Sequence, residues 1–274
     1  MQPEPQSQLK NLLESVSAAQ VSIAIHDLAS GYEILVRPDI PYHPASTIKA
    51  GVMMEVFHQA NAGEFSLDDP LLVKNEFLSL ADGSLFSLFS EDDSGIDLYQ
   101  RIGESLSLRD LTRRMIAFSS NLATNLLVEK VSAARVTRFM QELGTNDLVV
   151  RRGPEDKKAF ALGINNSATA RSLMHVLARL AARRVVNPAA SDEMIAILRQ
   201  QHFNEGIPAK LPAGVSVAHK TGWSEKLYHD AAIVYPPGRD PYVLVIMTSG
   251  LPEKDEAPAF VAELSRLIFS SGFS

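Results

Sequence analysis

His43-Pro44-Ala45-Ser46-Thr47-Ile48-Lys49-Ala50-Gly51-Val52-Met53-Met54-Glu55-Val56-Phe57 is the stretch from which this fold is read. Pro44 disfavours helix just before it, and the apolar, proline-free run that follows predicts a buried helix starting near Ser46. Ser46 then falls in the first turn. Lys49, three residues on, shares its face, so the amine is placed to reach the Ser46 hydroxyl. A serine hydroxyl becomes a nucleophile when a base takes its proton, and an amine serves only if its pKa drops well below the free value. Burial and the positive potential of a helix N-terminus both push it that way. The spacing alone is unspecific: Ser7 and Lys10 repeat it in a polar segment where no site is expected.

Outward from that helix, the chain carries strand patterns at its two ends and helical patterns between them. A helix is predicted over 7–19. Val21 to Asp27 alternates, Ala29-Ser30-Gly31 turns, and Tyr32 to Val36 answers, which reads as a β-hairpin. Apolar spacing predicts helices over 108–118, 121–130, 133–143, 169–182 and 190–200. The acidic stretch 81–103, with Glu91-Asp92-Asp93, reads as a solvated loop. Strands return at 215–220, 230–235 and 242–247, and a helix over 257–270 closes the chain. Consecutive short strands tend to be neighbours, so the expected fold is α/β (α+β): an antiparallel five-stranded sheet flanked by terminal helices, beside an all-helical lobe. Residues 1–274 are expected to form one domain with an α/β sublobe (1–45 plus 206–274) and a helical one (46–205). A small-molecule site belongs in the cleft between them.

Composition narrows the function. At 274 residues with 46% hydrophobic and 21% charged content, the chain can bury a large core. A net charge of −6 argues against nucleic acid as partner, and no apolar run is long enough to span a bilayer. With no cysteine, disulfides, thiolate metal sites and a cysteine nucleophile are excluded. The start, Met1-Gln-Pro-Glu-Pro-Gln6, has none of the features of a signal peptide. Either a leader was removed and the protein is periplasmic or secreted, or it is cytoplasmic. A monomer acting on a small molecule is expected.

Two further polar clusters stand where such a cleft would lie. Ser119-Ser120-Asn121 falls at a junction between helical runs, where helix capping alone would account for it. His219-Lys220-Thr221-Gly222-Trp223 ends a strand: Lys220 brings charge, Thr221 a donor, Gly222 room for a ligand to approach the backbone closely, and Trp223 a surface for stacking or packing. His219 and His229 lie near that rim, but with no third ligand candidate a metal is not expected.

In order and spacing, Ser46-Thr-Ile-Lys49, Ser119-Ser-Asn121 and Lys220-Thr-Gly222 resemble the S-x-x-K, S-D-N and K-T-G elements of class A β-lactamases and penicillin-binding proteins. Gly63-Glu-Phe-Ser-Leu-Asp68 and Asn121-Leu-Ala-Thr-Asn-Leu-Leu127 extend the likeness, which covers nearly the whole chain. The resemblance implies that Ser46 forms an acyl-enzyme and that Lys49 relays its proton. Ser119 would protonate the leaving nitrogen, Asn121 hold the substrate amide, and Lys220 and Thr221 bind its carboxylate. The backbone N–H groups of Ser46 and Trp223 would form the oxyanion hole. No metal or organic cofactor is implied.

Two positions depart from the pattern. Ser120 replaces the usual Asp, which is expected to loosen the corner holding Ser119 and Asn121. The deacylating Glu of a loop reading R-x-E-P-E-x-x-N meets Arg151-Arg152-Gly153-Pro154-Glu155-Asp156 here. Aligning the prolines puts Gly153 in its place; alternatively Glu155 is the base, on the other side of Pro154, or merely a surface charge. The expected function is therefore a serine hydrolase opening β-lactams or related acyl-D-amino compounds, with Ser46, Lys49, Ser119 and Glu155 catalytic. The alternative is a penicillin-binding, sensor, DD-peptidase or esterase-like protein that acylates and deacylates slowly.

Overall fold

The computed structural model describes residues 11, 13, 14, 19–224, 226–251 and 256–272, so most of the helix predicted over 7–19 lies outside the described residues. The strands are β1 (Gln20–Asp27), β2 (Glu33–Val36), β3 (Pro70–Leu72), β4 (Phe77–Leu78), β5 (Leu85–Phe86), β6 (Ser105–Ser107), β7 (Ser216–Ser224), β8 (Leu227–Tyr235) and β9 (Tyr242–Ser249). The helices are α1 (Lys49–Asn61), α2 (Leu108–Ala117), α3 (Asn121–Val131), α4 (Ala133–Glu142), α5 (Lys157–Ala161), α6 (Ala170–Ala181), α7 (Pro188–Leu198) and α8 (Glu256–Ser271).

Five strands form one antiparallel sheet in the order β2-β1-β9-β8-β7, as the end-to-end strand pattern predicted. Alternation explains why both of its faces are covered. Val21, Ile23 and Ile25 of β1 and Leu244 and Ile246 of β9 pack with Phe260, Val261, Leu264 and Ile268 of α8. Ala24, Val243, Val245 and Met247 point the other way, into the core that contains Val52, Met53 and Val56 of α1 and Leu173 and Val176 of α6. Each such large side chain, removed from water, contributes roughly 1.5–3 kcal/mol.

The central helices begin and end close to their predicted limits, and Ser107, Ser120, Thr169 and Asn187 cap α2, α3, α6 and α7 through their side chains. The reading of 81–103 as a solvated loop needs correction. It holds β5 and two 3₁₀ turns, Ser90–Asp92 and Ile96–Arg101, and both Asp93 and Leu98 are buried. No helix among the described residues is long and apolar enough to cross a membrane.

Candidate active site

Ser46 lies in a 3₁₀ turn, Ala45–Ile48, and the α-helix proper starts at Lys49. Ala45 takes a positive φ of 47°, a strained conformation for a residue with a Cβ, so its surroundings must hold it. They do so from two sides. The Thr47 amide and hydroxyl both donate to Pro44 O, at 3.1 and 2.6 Å. Strand β7 closes on the other side: a Cβ on Gly222 would stand 2.7 Å from Ser46 N and 2.9 Å from Thr47 N. The room that Gly222 gives is thus taken by the chain's own Ser46 turn, where the sequence reading had a ligand.

Ser119 also has positive φ, 56°, at the corner between α2 and α3. That bend turns its carbonyl and hydroxyl toward Lys49. Lys49 Nζ donates to Ser119 O at 2.7 Å, to Ser119 Oγ at 3.3 Å and to Asn121 Oδ1 at 2.8 Å. These, not Ser46, are its hydrogen-bond partners. Lys220 Nζ approaches from β7 and donates to Ser119 Oγ at 3.1 Å and to Thr221 O at 3.0 Å. Two amines thus meet on one hydroxyl, and both are buried. Burial lowers the Lys49 amine to about 7, against the opposing pull of Asp93 and Glu155. Burial, and then the neighbouring Lys49 charge, hold Lys220 well below its usual range, with Asp230 opposing. The Thr221 hydroxyl is buried with no hydrogen-bond partner among the described residues.

A cleft of about 260 Å³ opens over this cluster, lined among others by Ser46, Lys49, Asn121, Glu155, Asn166 and Trp223. Trp223 faces it while packing edge-on against Phe203, with ring centroids 4.8 Å apart, so it serves packing as well as the rim. The wall from 151 to 166 is laced to itself. Asn166 Oδ1 accepts from the Arg151 and Arg152 amides, and Arg152 donates to Ile164 O, Gly153 O and Asn165 Oδ1. Asn125 Nδ2 ties the wall to α3 through Pro154 O at 3.0 Å. Gly153 lies so close to α3 that a Cβ there would sit 2.0 Å from Asn125 Oδ1. A side chain at 153 fits only if the Asn125 amide moves aside. This segment brings two carboxylates to the cleft, Glu155, at a positive φ of 66°, and Asp156, which is held by the Ser79 hydroxyl and the Leu80 and Ala159 amides.

The sequence profile of the β-lactamase enzyme family matches residues 4–271. The chain belongs to that family. A β-lactamase from Streptomyces albus G is 27% identical over 266 residues, covering 93% of this chain and 81% of that protein. β-Lactamase Toho-2 from Escherichia coli is 26% identical, covering 85% and 77%. Among solved structures, an ancestral class A β-lactamase superposes with a TM-score of 0.84 at 25% identity, covering 98% of this chain and 100% of that one. PBP-A has the same fold, with a TM-score of 0.82 at 22% identity over 98% and 97%. This β-lactamase-family chain is thus a serine hydrolase by kinship, with the antiparallel sheet and helical layers its relatives share.

Two more sequence expectations change on contact with the geometry. His219 and His229 do not line the rim: His219 is buried against Asp230 and Asn204, at 2.9 and 3.2 Å. His229 donates through Nε2 to His43 O at 3.0 Å and accepts the Thr248 amide. His43 is the histidine on the cleft, with Nδ1 accepting the Ala45 amide at 3.2 Å. Ser120 does not leave its corner loose. Its Oγ caps α3 at the Ala123 amide, and Asp93, from the stretch read as solvent-exposed, covers the amides of Asn121 and Leu122. A carboxylate folding back over 28 residues has no local signal, and the neighbouring Glu91 and Asp92 disguise it as a charge run.

Proposed function

We propose that this chain opens β-lactams or related acyl-D-amino compounds through an ester on Ser46. The carrying observation is the convergence of two buried amines on Ser119 Oγ, one of them also on Asn121, beneath a cleft lined by Ser46. Ser46 Oγ attacks the amide carbonyl carbon while its proton passes to the neutral Lys49 amine, which an amine lowered to about 7 permits near neutrality. The Ser46 and Trp223 amides receive the developing oxyanion, a contribution of about 3 kcal/mol per donor in comparable sites. As the C–N bond breaks, Ser119 gives its proton to the leaving nitrogen and regains one from the lysines. The unpartnered Thr221 hydroxyl and Lys220 suit a substrate carboxylate, and Asn121 the side-chain amide.

Water must then cleave the ester. Glu155 is the candidate base: it lines the cleft with Ser46 and Lys49, and Asp156, the other carboxylate there, is taken up by Ser79 and the Leu80 and Ala159 amides. A second reading, slow release from a penicillin-binding or peptidase-like protein, is favoured by Gly153 itself, which supplies no carboxylate and packs tightly against the Asn125 amide. The same proposal takes residues 1–274 as one exported, monomeric domain, with sublobes 1–45 plus 206–274, and 46–205; a leader ahead of this segment in the full gene product tests the export.

Time-resolved intact mass after mixing with penicillin G and with a cephalosporin separates the steps. A covalent adduct on the wild type that is absent from Ser46→Ala is expected. Rapid disappearance of that adduct, slowed by Glu155→Gln, marks the hydrolase; persistence marks the acylating protein. A wild type left unmodified by a broad β-lactam panel would sink the proposal.

A further inference from the structure

Asp93 is the most heavily engaged carboxylate near the site. Its Oδ1 accepts the Gly95 amide at 2.8 Å and the Asn121 amide at 3.0 Å; its Oδ2 accepts the Leu122 amide at 2.8 Å, the Tyr99 hydroxyl at 3.0 Å and, more weakly, the Ser120 hydroxyl at 3.4 Å. The first two amides of α3 have no intrahelical acceptor, and a negative charge at that end is favoured by the helix dipole. Ser120 alone reaches only the Ala123 amide. The loop that delivers Asp93 lies flat on the corner: a Cβ on Gly95 would stand 2.4 Å from Ser120 Cβ. Its far side is anchored by the buried Leu98, whose amide donates to Gly95 O at 3.1 Å, and by an Asp97–Arg114 ion pair.

We propose that Asp93 is a positioning residue for acyl transfer, a carboxylate brought in by the 90–103 loop to hold the Ser119-Ser120-Asn121 corner and, through it, the aim of Lys49. The inference rests on Ser46 acylation as read above. Ser119 occupies a left-handed conformation that persists only when neighbours over-determine it. Asp93 supplies that constraint by pinning Asn121 through its backbone, while the Asn121 side chain and the Ser119 carbonyl point at Lys49 Nζ. The charge also matters. The ionisable groups acting on Lys49 are Asp93 and Glu155, which favour its protonated form, and Lys220, which lies across Ser119. A corner held by a charged group from another loop also explains how a serine is tolerated at position 120.

The test is a substitution cycle read by the rate of penicillin G acylation. Asp93→Ala is expected to lower that rate by about tenfold or more, since ångström-scale misplacement near reacting atoms is that costly. Ser120→Asp alone is expected to slow it too, because it sets two carboxylates against one helix end. Combined, the two changes are expected to restore most of the rate: an aspartate at the N-cap reaches the Leu122 and Ala123 amides that Asp93 and Ser120 now share. Asp93→Asn, which keeps the shape but removes the charge, is expected to move the acidic limb of the acylation profile to lower pH. A residue that merely stabilised the loop would leave that limb in place. Wild-type-like acylation in Asp93→Ala, or a double variant no better than the worse single one, overturns the inference while Ser46 chemistry stands. A wild type that penicillin G leaves unmodified overturns the acylation reading itself, and Asp93's part with it.

Discussion

At the scale of single residues, the site is a problem in keeping two amines uncharged enough to be useful. Lys49 and Lys220 are both buried and both bonded to Ser119 Oγ, so full protonation of the pair would set two desolvated cations around one hydroxyl. Neutralising Lys49 relieves that conflict and creates a base at the same time. Its charge state then sets the pH dependence of acylation. Because the free amine is the active form and its pKa is about 7, the acylation rate is expected to level off above about pH 8. Below about pH 6 it should fall close to tenfold per unit. Stopped-flow acylation across that range checks it; a rate flat from acid to neutral would remove Lys49 from the proton path. Gly222 shows how little freedom surrounds this chemistry, since one added methyl group would collide with two backbone nitrogens that no rotamer change can move aside.

At the scale of elements, much was legible because the signals were local. Alternation in Val21–Asp27 and the unbroken apolar run Tyr242–Met247 marked strands whose two faces meet different layers, and the proline before Ser46 marked a helix start to within a turn. The short pairs β3–β6 and β4–β5 were not legible, since two or three residues carry no periodicity and each needs a distant partner. The same limit hid Asp93 and the contact between Gly153 and Asn125, whose meaning lies in what another element presses against them. The Gly153 contact gives an expectation at this scale. Gly153→Glu, the change that would rewrite the loop to the family pattern, meets Asn125 at 2.0 Å and must displace it from Pro154 O. The variant is expected to lose roughly 1–3 kcal/mol of stability from overpacking and to gain no turnover. Urea unfolding beside turnover of a chromogenic cephalosporin decides it; a faster, equally stable variant would show that the wall has more give than its hydrogen bonds suggest.

Across the whole molecule, the sheet and the helical layers meet at the segment 42–49, so whatever holds that segment couples global stability to the site. Tyr42 N and O pair with Ala168 ahead of α6, and the Tyr42 ring stands edge-on to His229 at 5.4 Å. His229 is the pin: fully buried on β8, it donates to His43 O and accepts from Thr248 N of β9, a pattern only the neutral ring can satisfy. Burial pushes its pKa from 6.5 down to about 4, against the hydrogen bonds to His43 and Tyr228 that favour the charged form. The unfolded chain therefore takes up this proton first. The stabilisation is whole above about pH 6.5 and drains away as the pH falls toward about 4, a loss on the order of 3 kcal/mol from this group. That is a sizeable part of the ~5–15 kcal/mol that a domain commands. Other carboxylates also titrate in acid, so the measurement is a difference: unfolding free energies of wild type and His229→Gln in urea at several pH values. The wild type's advantage is expected to shrink steadily from neutral pH to about pH 4, and a gap that stays constant would mean that the buried ring is not held neutral by the fold.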